Sequence, residues 1–372
     1  MNRPCPPNCP HTRSMSILRP HAETAYATEL AALAAQDEGA RPTGWKLSPR
    51  AVVDYLLGEA LADGTEITTK YFGDRRLIEV AVASLVTDRA LLLVGVPGTA
   101  KTWVSEHLAA AISGDSTLLV QGTAGMSEDA LRYGWNYARL LAEGPSEAAL
   151  VPSPVMTGMR EGKLVRLEEL TRIPSDVQDA LITVLSEKIL PIPELNREVQ
   201  AVRGFNVIAT ANDRDKGVNE LSSALRRRFN TVVMPLPATL EEEVRIVSDR
   251  SSAAAATMEL PPITKDAAAE ISRLVTIFRE LRSGRTEDGR TQLKSPSATL
   301  STAEAISVVN QSRALSHHFG GGAGLKPEHL AASLTGAIVK DRSQDEAVWR
   351  EYLDVVVRNR KGWEDLWEEL RG

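Results

Sequence analysis

The sequence predicts an α/β fold: a three-layer αβα domain on a five-stranded parallel sheet, followed by an all-α domain. Short apolar runs at 90–94, 116–121, 164–167, 205–210 and 231–236 alternate with helical segments, the pattern of a parallel sheet covered on both faces. Beyond Pro237 the strand signals stop, and apolar residues recur at helical spacing over 267–281, 302–315 and 327–339. The chain's 372 residues, 43% hydrophobic and 25% charged, suffice for one large domain and a smaller one.

Residues 1–45 mix Pro, Ala and charge without a sustained period, apart from an Ala-rich helical stretch near 29–36, and read as a disordered leader. Cys5, Cys9 and His11 lie in it. Three potential ligands in a Pro-rich tail are weak grounds for a metal site, and Met15 is an alternative start. Val52, Val53, Leu56, Leu57 and Leu61 mark a helix over 48–61, and 78–85 repeats that pattern ahead of the first strand. At the other end Trp349, Tyr352, Val356, Trp363 and Trp367 stand at near-helical spacing, which reads as one terminal amphipathic helix packed on a core. Two segments, 283–299 and 320–324, are rich in Gly, Ser or charge and are expected to be mobile.

Charge and hydropathy narrow the function classes. Lys plus Arg number 43 against 49 Asp plus Glu, a net charge of -6, whereas proteins that hold nucleic-acid phosphates usually carry a basic excess. No apolar run approaches the roughly 20 residues that span a bilayer, and the N-terminus lacks a secretory apolar core, so the expected location is cytoplasmic.

Residues 91–94 run straight into Gly95-Val96-Pro97-Gly98-Thr99-Ala100-Lys101-Thr102, with a helix beginning near Trp103: strand, loop, helix, the context of a phosphate-binding loop. The glycines let backbone amides turn toward anionic oxygens, and the helix N-terminus adds partial positive charge. Lys101 is placed to reach the β and γ phosphates of a nucleoside triphosphate, and the Thr102 hydroxyl to complete the coordination of Mg2+. Residues 95 and 97–103 are thus the candidate nucleotide contacts. The usual glycine before the lysine is Ala100, acceptable there if that residue is already helical. Without the Lys-Thr pair, the segment would be a plain Gly-Pro turn.

Hydrolysis needs one carboxylate near the metal and another to polarise water, and Glu168-Glu169 end the run that starts at Leu164. Adjacent strand residues face opposite ways, so both reach one site only if the backbone relaxes at the strand's exit. Glu168 takes the metal role and Glu169 the base role; the alternative is a solvated pair capping the next helix. Asn212, after the 205–210 run, can orient water against the γ phosphate, although alone it would be a turn residue. Arg226-Arg227-Arg228 sit at a helix end. The helix dipole accounts for at least one of them, and the functional reading is an arginine finger inserted into a neighbour's nucleotide site.

Together, 95–102, 164–169, 209–213 and 224–229 resemble the Walker A, Walker B, sensor 1 and arginine-finger motifs of AAA+ ATPases. More narrowly, about 71–315 resembles the MoxR family, on the strength of GVPGTAKT, LEELTRIPSDVQDALITVLSEK and GFNVIATANDRD. Residues 189–199 look like the hairpin this clade inserts before sensor 1, and 120–136 like its second-helix insertion. The resemblance implies an ATPase domain over 46–240, a helical lid over 241–345 and a terminal helix over 346–372. It also implies a ring, a hexamer, with ATP and Mg2+ between subunits. Lys101, Glu169, Asn212 and Arg228 then carry catalysis, with Arg227 in reserve, and Thr102 and Glu168 hold the metal. Where such lids often begin a helix with a sensor 2 arginine, 300–304 reads Leu-Ser-Thr-Ala-Glu. The family's implied role is a chaperone that remodels or activates partners, commonly proteins with von Willebrand factor A domains. Rivals are a nucleotide-gated scaffold with weak hydrolysis, suggested by Glu168 and the missing lid arginine, and a chelatase-type or nucleic-acid motor.

Overall fold

A computed structural model describes residues 17–212, 219–262, 267–322 and 324–371. Cys5, Cys9, His11, Met15 and Asp213 lie outside the described residues. The central sheet comprises β1 (Ala90–Gly95), β2 (Leu119–Gln121), β3 (Leu164–Glu168), β4 (Asn206–Asn212) and β5 (Phe229–Val233). Its spatial order is β5-β1-β4-β3-β2, with every pair parallel. Period-2 alternation sends Ala90 and Leu92 into a core with Met156, Val165 and Leu181, while Leu91 and Leu93 enter a second core with Leu56, Ile78 and Leu108. Both faces are covered, which is why the strand reads as a continuous apolar run. Two strands shift from their expected places. β2 starts at Leu119 because Ser116 is committed elsewhere, its hydroxyl to Glu23 and its carbonyl to Arg166. β5 occupies Phe229–Val233 because Pro235 has no N–H with which to continue the ladder.

The expected leader is corrected over its described part. Helices Ala22–Ala25 and Ala27–Gln36 lie against the sheet domain: Glu23 accepts from the Ser116 hydroxyl at 2.7 Å, Glu29 from the Thr68 hydroxyl at 2.8 Å, and Leu33 is buried. Two carboxylates and a short apolar stripe, Tyr26, Leu30, Leu33 and Ala34 packed on the second core, tie this segment down. Helix Pro49–Leu57 follows and ends at Gly58, whose φ of 80° leaves Leu61 beyond it; Arg75–Val86 then leads into β1. The 189–199 hairpin is present as Ile189–Ile192 paired antiparallel with Arg197–Gln200. The second-helix insertion runs further than 136: Tyr133–Trp135 pairs with Leu150–Pro152 across the helix Tyr137–Glu143.

After the sheet comes a helical unit of Leu240–Thr257, Ala267–Ser283, Thr302–His318, Pro327–Ile338, Arg342–Val355 and Glu364–Leu370. The first of these escapes a periodicity reading because its second half is Ser and Ala. The single terminal helix is corrected to two, separated by a turn at Val357–Asn359 and Gly362 at φ 81°. Trp349, Tyr352 and Trp363 fill one core with Phe278 and Leu334, so the last segment is part of the bundle rather than an appendage. The loop after Ser283 is pinned rather than mobile: Arg285 bridges Gln292, the Glu287 amide donates to Glu280 at 2.9 Å, and the Ser297 hydroxyl donates to Asp345 at 3.0 Å.

Candidate active site

The loop after β1 closes on itself. The Lys101 ammonium donates to the carbonyls of Gly95 and Val96 at 2.8 and 2.9 Å, and the Thr99 hydroxyl donates to Val96 O at 3.0 Å. A Cβ on Gly95 would stand 2.6 Å from Met234 O, and one on Gly98 would stand 2.4 Å from the Ser301 side chain. Gly98 is therefore required by the lid. Ala100 differs from expectation: it is in the left-handed region at φ 62°, not in helical geometry, and helix Lys101–Ser113 begins only after it. Trp103 donates from Nε1 to Lys70 O at 3.0 Å and packs between His107 and the lid's Arg250, whose guanidinium lies 4.5 Å from its ring.

Glu168, 1% exposed, gathers the site. Its Oε2 accepts from Thr102 Oγ1 at 2.9 Å and Thr210 Oγ1 at 2.7 Å; its Oε1 accepts from Arg166 Nη2 at 3.0 Å and touches the Ser105 hydroxyl. Both carboxylate oxygens are thus satisfied in a buried setting, as a buried charge requires. Glu169 turns left-handed at φ 55°, which separates its side chain from the strand alternation. Its amide donates to Thr210 Oγ1 at 3.0 Å, and its carboxylate pairs with Arg172 at 3.0 Å while remaining partly exposed. Gly122 is needed here, since a Cβ would lie 2.3 Å from Glu169 O. In the β4 and β1 ladder Asn212 stands opposite Gly95, the first residue of the loop.

Arg228 is elsewhere. Its Nε donates to Ser186 Oγ at 2.8 Å and its Nη1 to Ala224 O at 2.6 Å, immediately before β5. Phe229 pairs with Ala90, so Arg228 lies at the opposite strand end from the loop that follows Gly95. Over the five residue steps from Ala90 to Gly95 that is about 17 Å along the strand direction. The expected lid segment does reach the loop, since Ser301 lies against Gly98, and it brings no arginine there. Two nearby lid arginines are committed to Glu243 instead: Arg282 by two bonds at 3.1 and 2.7 Å and Arg279 by one at 3.2 Å, with the Thr302 hydroxyl adding a fourth at 2.7 Å.

A family model described as an AAA domain of the dynein-related subfamily matches residues 90–229, and one described as the YehL-like AAA+ ATPase C-terminal domain matches 241–372. The uncharacterized protein YehL of Escherichia coli K12 is 42% identical over 349 residues, covering 93% of this chain and 94% of that protein. The chain belongs to the YehL-like AAA+ ATPases. An uncharacterized Staphylococcus haemolyticus protein is 28% identical over 158 residues, 42% of this chain and 59% of that one. Among solved structures, NtrX of Brucella abortus in complex with ATP aligns at 14% identity with a TM-score of 0.48; it covers 75% of this chain, which spans about 60% of NtrX.

The structure thus brings Lys101, Thr102, Glu168 and Asn212 to one end of the sheet and leaves Arg228 at the other. Three polar residues were missed as site members. Thr210 precedes Asn212 by two and so shares its strand face, Arg166 stands likewise to Glu168, and Ser105 is one helical turn after Thr102. Behind the loop helix, His107 Nδ1 and the Tyr55 hydroxyl share a hydrogen bond at 2.9 Å with the imidazole ring fully buried, and burial depresses the His107 pKa to about 2. Nearby Lys70, between the rings of Tyr26 and Tyr55 and paired with Glu29, is lowered to about 8, chiefly by burial.

Among the described residues no helix is long and apolar enough to cross a membrane.

Proposed function

We propose that this chain is a MoxR-like AAA+ ATPase that hydrolyses ATP between the subunits of a ring, a hexamer, and uses the resulting motion of its lid to remodel a partner carrying a von Willebrand factor A domain. The observation that carries the hydrolytic part is the 2.9 Å contact between the phosphate-loop hydroxyl of Thr102 and the Glu168 carboxylate. It joins the end of β3 to the start of the loop helix, where a triphosphate and its counterion meet in a phosphate-loop enzyme.

Each residue then has a physical task. Loop amides and Lys101 bind the phosphates, the ammonium exchanging the carbonyls of Gly95 and Val96 for phosphoryl oxygens. Thr102 and Glu168 offer hard oxygen donors side by side, a set that fits Mg2+, which would supply charge neutralisation on the phosphates. Glu169 leaves Arg172 to accept the proton of the attacking water, and Asn212, opposite Gly95, orients that water. Trp103, under Arg250, links the bound nucleotide to the lid. Arg228 serves the neighbouring subunit.

Glu169→Gln tests this reading in steady-state ATPase assays. Turnover should fall by about 10²-fold or more while nucleotide affinity stays within about threefold, the signature of a lost general base. A second reading, the nucleotide-gated scaffold, is favoured by one feature: Glu168 already holds four donors, which a metal must displace in part. Equal background rates in the parent protein and Glu169→Gln would select it. Stimulation by DNA would point instead to a nucleic-acid motor, and capture of a metal-chelatase partner to the chelatase reading.

A further inference from the structure

Arg166 is an anomaly for a central strand, a full positive charge that is 4% exposed between Val165 and Leu167. Its bonds explain why it is tolerated. Nε donates to Ser105 Oγ at 3.1 Å, Nη1 to Ser116 O at 3.1 Å, and Nη2 to Thr102 O at 3.3 Å and Glu168 Oε1 at 3.0 Å. One guanidinium thereby fastens β3 to the first turn of the loop helix and to the entry of β2.

The two oxygens of Glu168 are consequently not equivalent. Oε1 is held by Arg166 and Ser105, and Oε2 faces the Thr102 and Thr210 hydroxyls. The glutamate's length suits this division, since one carboxylate spans the strand's own arginine and the loop helix. The charge of that carboxylate is also already compensated, because a cation is salt-bridged to it in a buried setting where screening is weak.

Resting on the nucleotide-site reading above, we propose that Arg166 is a positioning residue acting through Glu168: it fixes Oε2 toward Thr102 and, as a resident cation, limits how much Mg2+ adds to nucleotide binding. The direction of the effect separates this from a packing role. Loss of packing can only weaken the site. Loss of the resident charge uncovers the carboxylate toward the metal and removes a positive charge that assists metal-free phosphate binding, so both changes enlarge the metal's contribution.

The test is calorimetric binding of the non-hydrolysable analogue AMP-PNP to the full chain, once in EDTA and once in saturating Mg2+, for the parent protein, Arg166→Gln and Arg166→Lys. The ratio of the two dissociation constants is the gain due to metal. In Arg166→Gln, which keeps a donor and loses the charge, the gain should rise at least about fivefold over the parent. In Arg166→Lys, which keeps the charge, it should stay within about twofold. An unchanged or smaller gain in a folded Arg166→Gln overturns the proposal. Should that variant fail to fold, a gain in Arg166→Lys outside the twofold window overturns it instead. Failure of the parent to bind AMP-PNP under either condition would defeat the nucleotide-site reading itself, a distinct result.

Discussion

Ala100 holds a left-handed backbone at φ 62° directly before Lys101, a conformation in which a Cβ costs about 1–2 kcal/mol. Glycine removes that cost but loses about 0.5–1 kcal/mol more in unfolded-chain entropy. Ala100→Gly should therefore stabilise the protein by about 0.5–1 kcal/mol. The denaturant midpoint checks this, and a lower midpoint would mean that the methyl group contributes packing the backbone geometry conceals. His107 makes a prediction of the opposite kind. Its folded pKa of about 2 lies below the ordinary 6.5, so between those values the unfolded chain binds the extra proton. Stability is whole above about pH 6.5 and falls as pH drops toward 2, by up to about 1.4 kcal/mol per pH unit. His107→Gln should flatten that slope in denaturation curves taken from pH 6.5 to 4.5; an unchanged slope would assign acid sensitivity elsewhere. At this scale the sequence exposes residues whose chemistry is local. Lys101 and Thr102 sit in a contiguous loop that advertises them. Arg166, Ser105 and Thr210 become site residues only when β3, β4 and the loop helix are brought together, and in the linear chain Arg166 reads as a flaw in an apolar strand.

Among elements, the junction between sheet domain and lid rests on Glu243, which is fully buried in the first turn of helix Leu240–Thr257. Arg279 also donates to the carbonyls of Pro237 and Thr239, and Arg282 to Leu300 O, so one acidic side chain holds the linker, two lid helices and the segment leading to Ser301. Removing one partner of a buried ion pair strands the others. Glu243→Ala should cost about 3–5 kcal/mol and loosen Ser301 from Gly98. Denaturant unfolding and hydrogen exchange at 300–304 measure the two effects, and a loss under about 1 kcal/mol would remove this cluster from the account of lid placement. Elements were legible where one period dominates: all five strands and the three later lid helices were found near their places. Helix Leu240–Thr257 and the single turn Ala22–Ala25 were not, because Ser and Ala tracts and one-turn helices carry little amphipathic signal; Ala27–Gln36 shows as the Ala-rich stretch near 29–36, but its attachment to the sheet domain through Glu23, Glu29 and Leu33 does not.

On the scale of the whole molecule, Arg228 lies far from the phosphate loop of its own chain. The arginine precedes β5 at the strand's N-terminal end, bonded to Ser186 and Ala224, whereas Lys101 follows the C-terminal end of β1. A parallel sheet about 17 Å long lies between Arg228 and the phosphate loop of the same chain. If Arg228 is the finger, activity requires a neighbour, and the requirement can be read without knowing the ring's size. Lys101→Ala should abolish nucleotide binding, and Arg228→Ala should retain binding and lose turnover. Each alone is inactive, yet in a mixture the intact loop of one subunit meets the intact arginine of the next. Random equal mixing makes about a quarter of the interfaces complete, so ATPase activity should return to about that fraction of the parent rate. Recovery on mixing, with none from either variant at any concentration, is the outcome expected of a shared site. A mixture as inactive as its components, under conditions where the subunits demonstrably co-assemble, would move the finger away from Arg228.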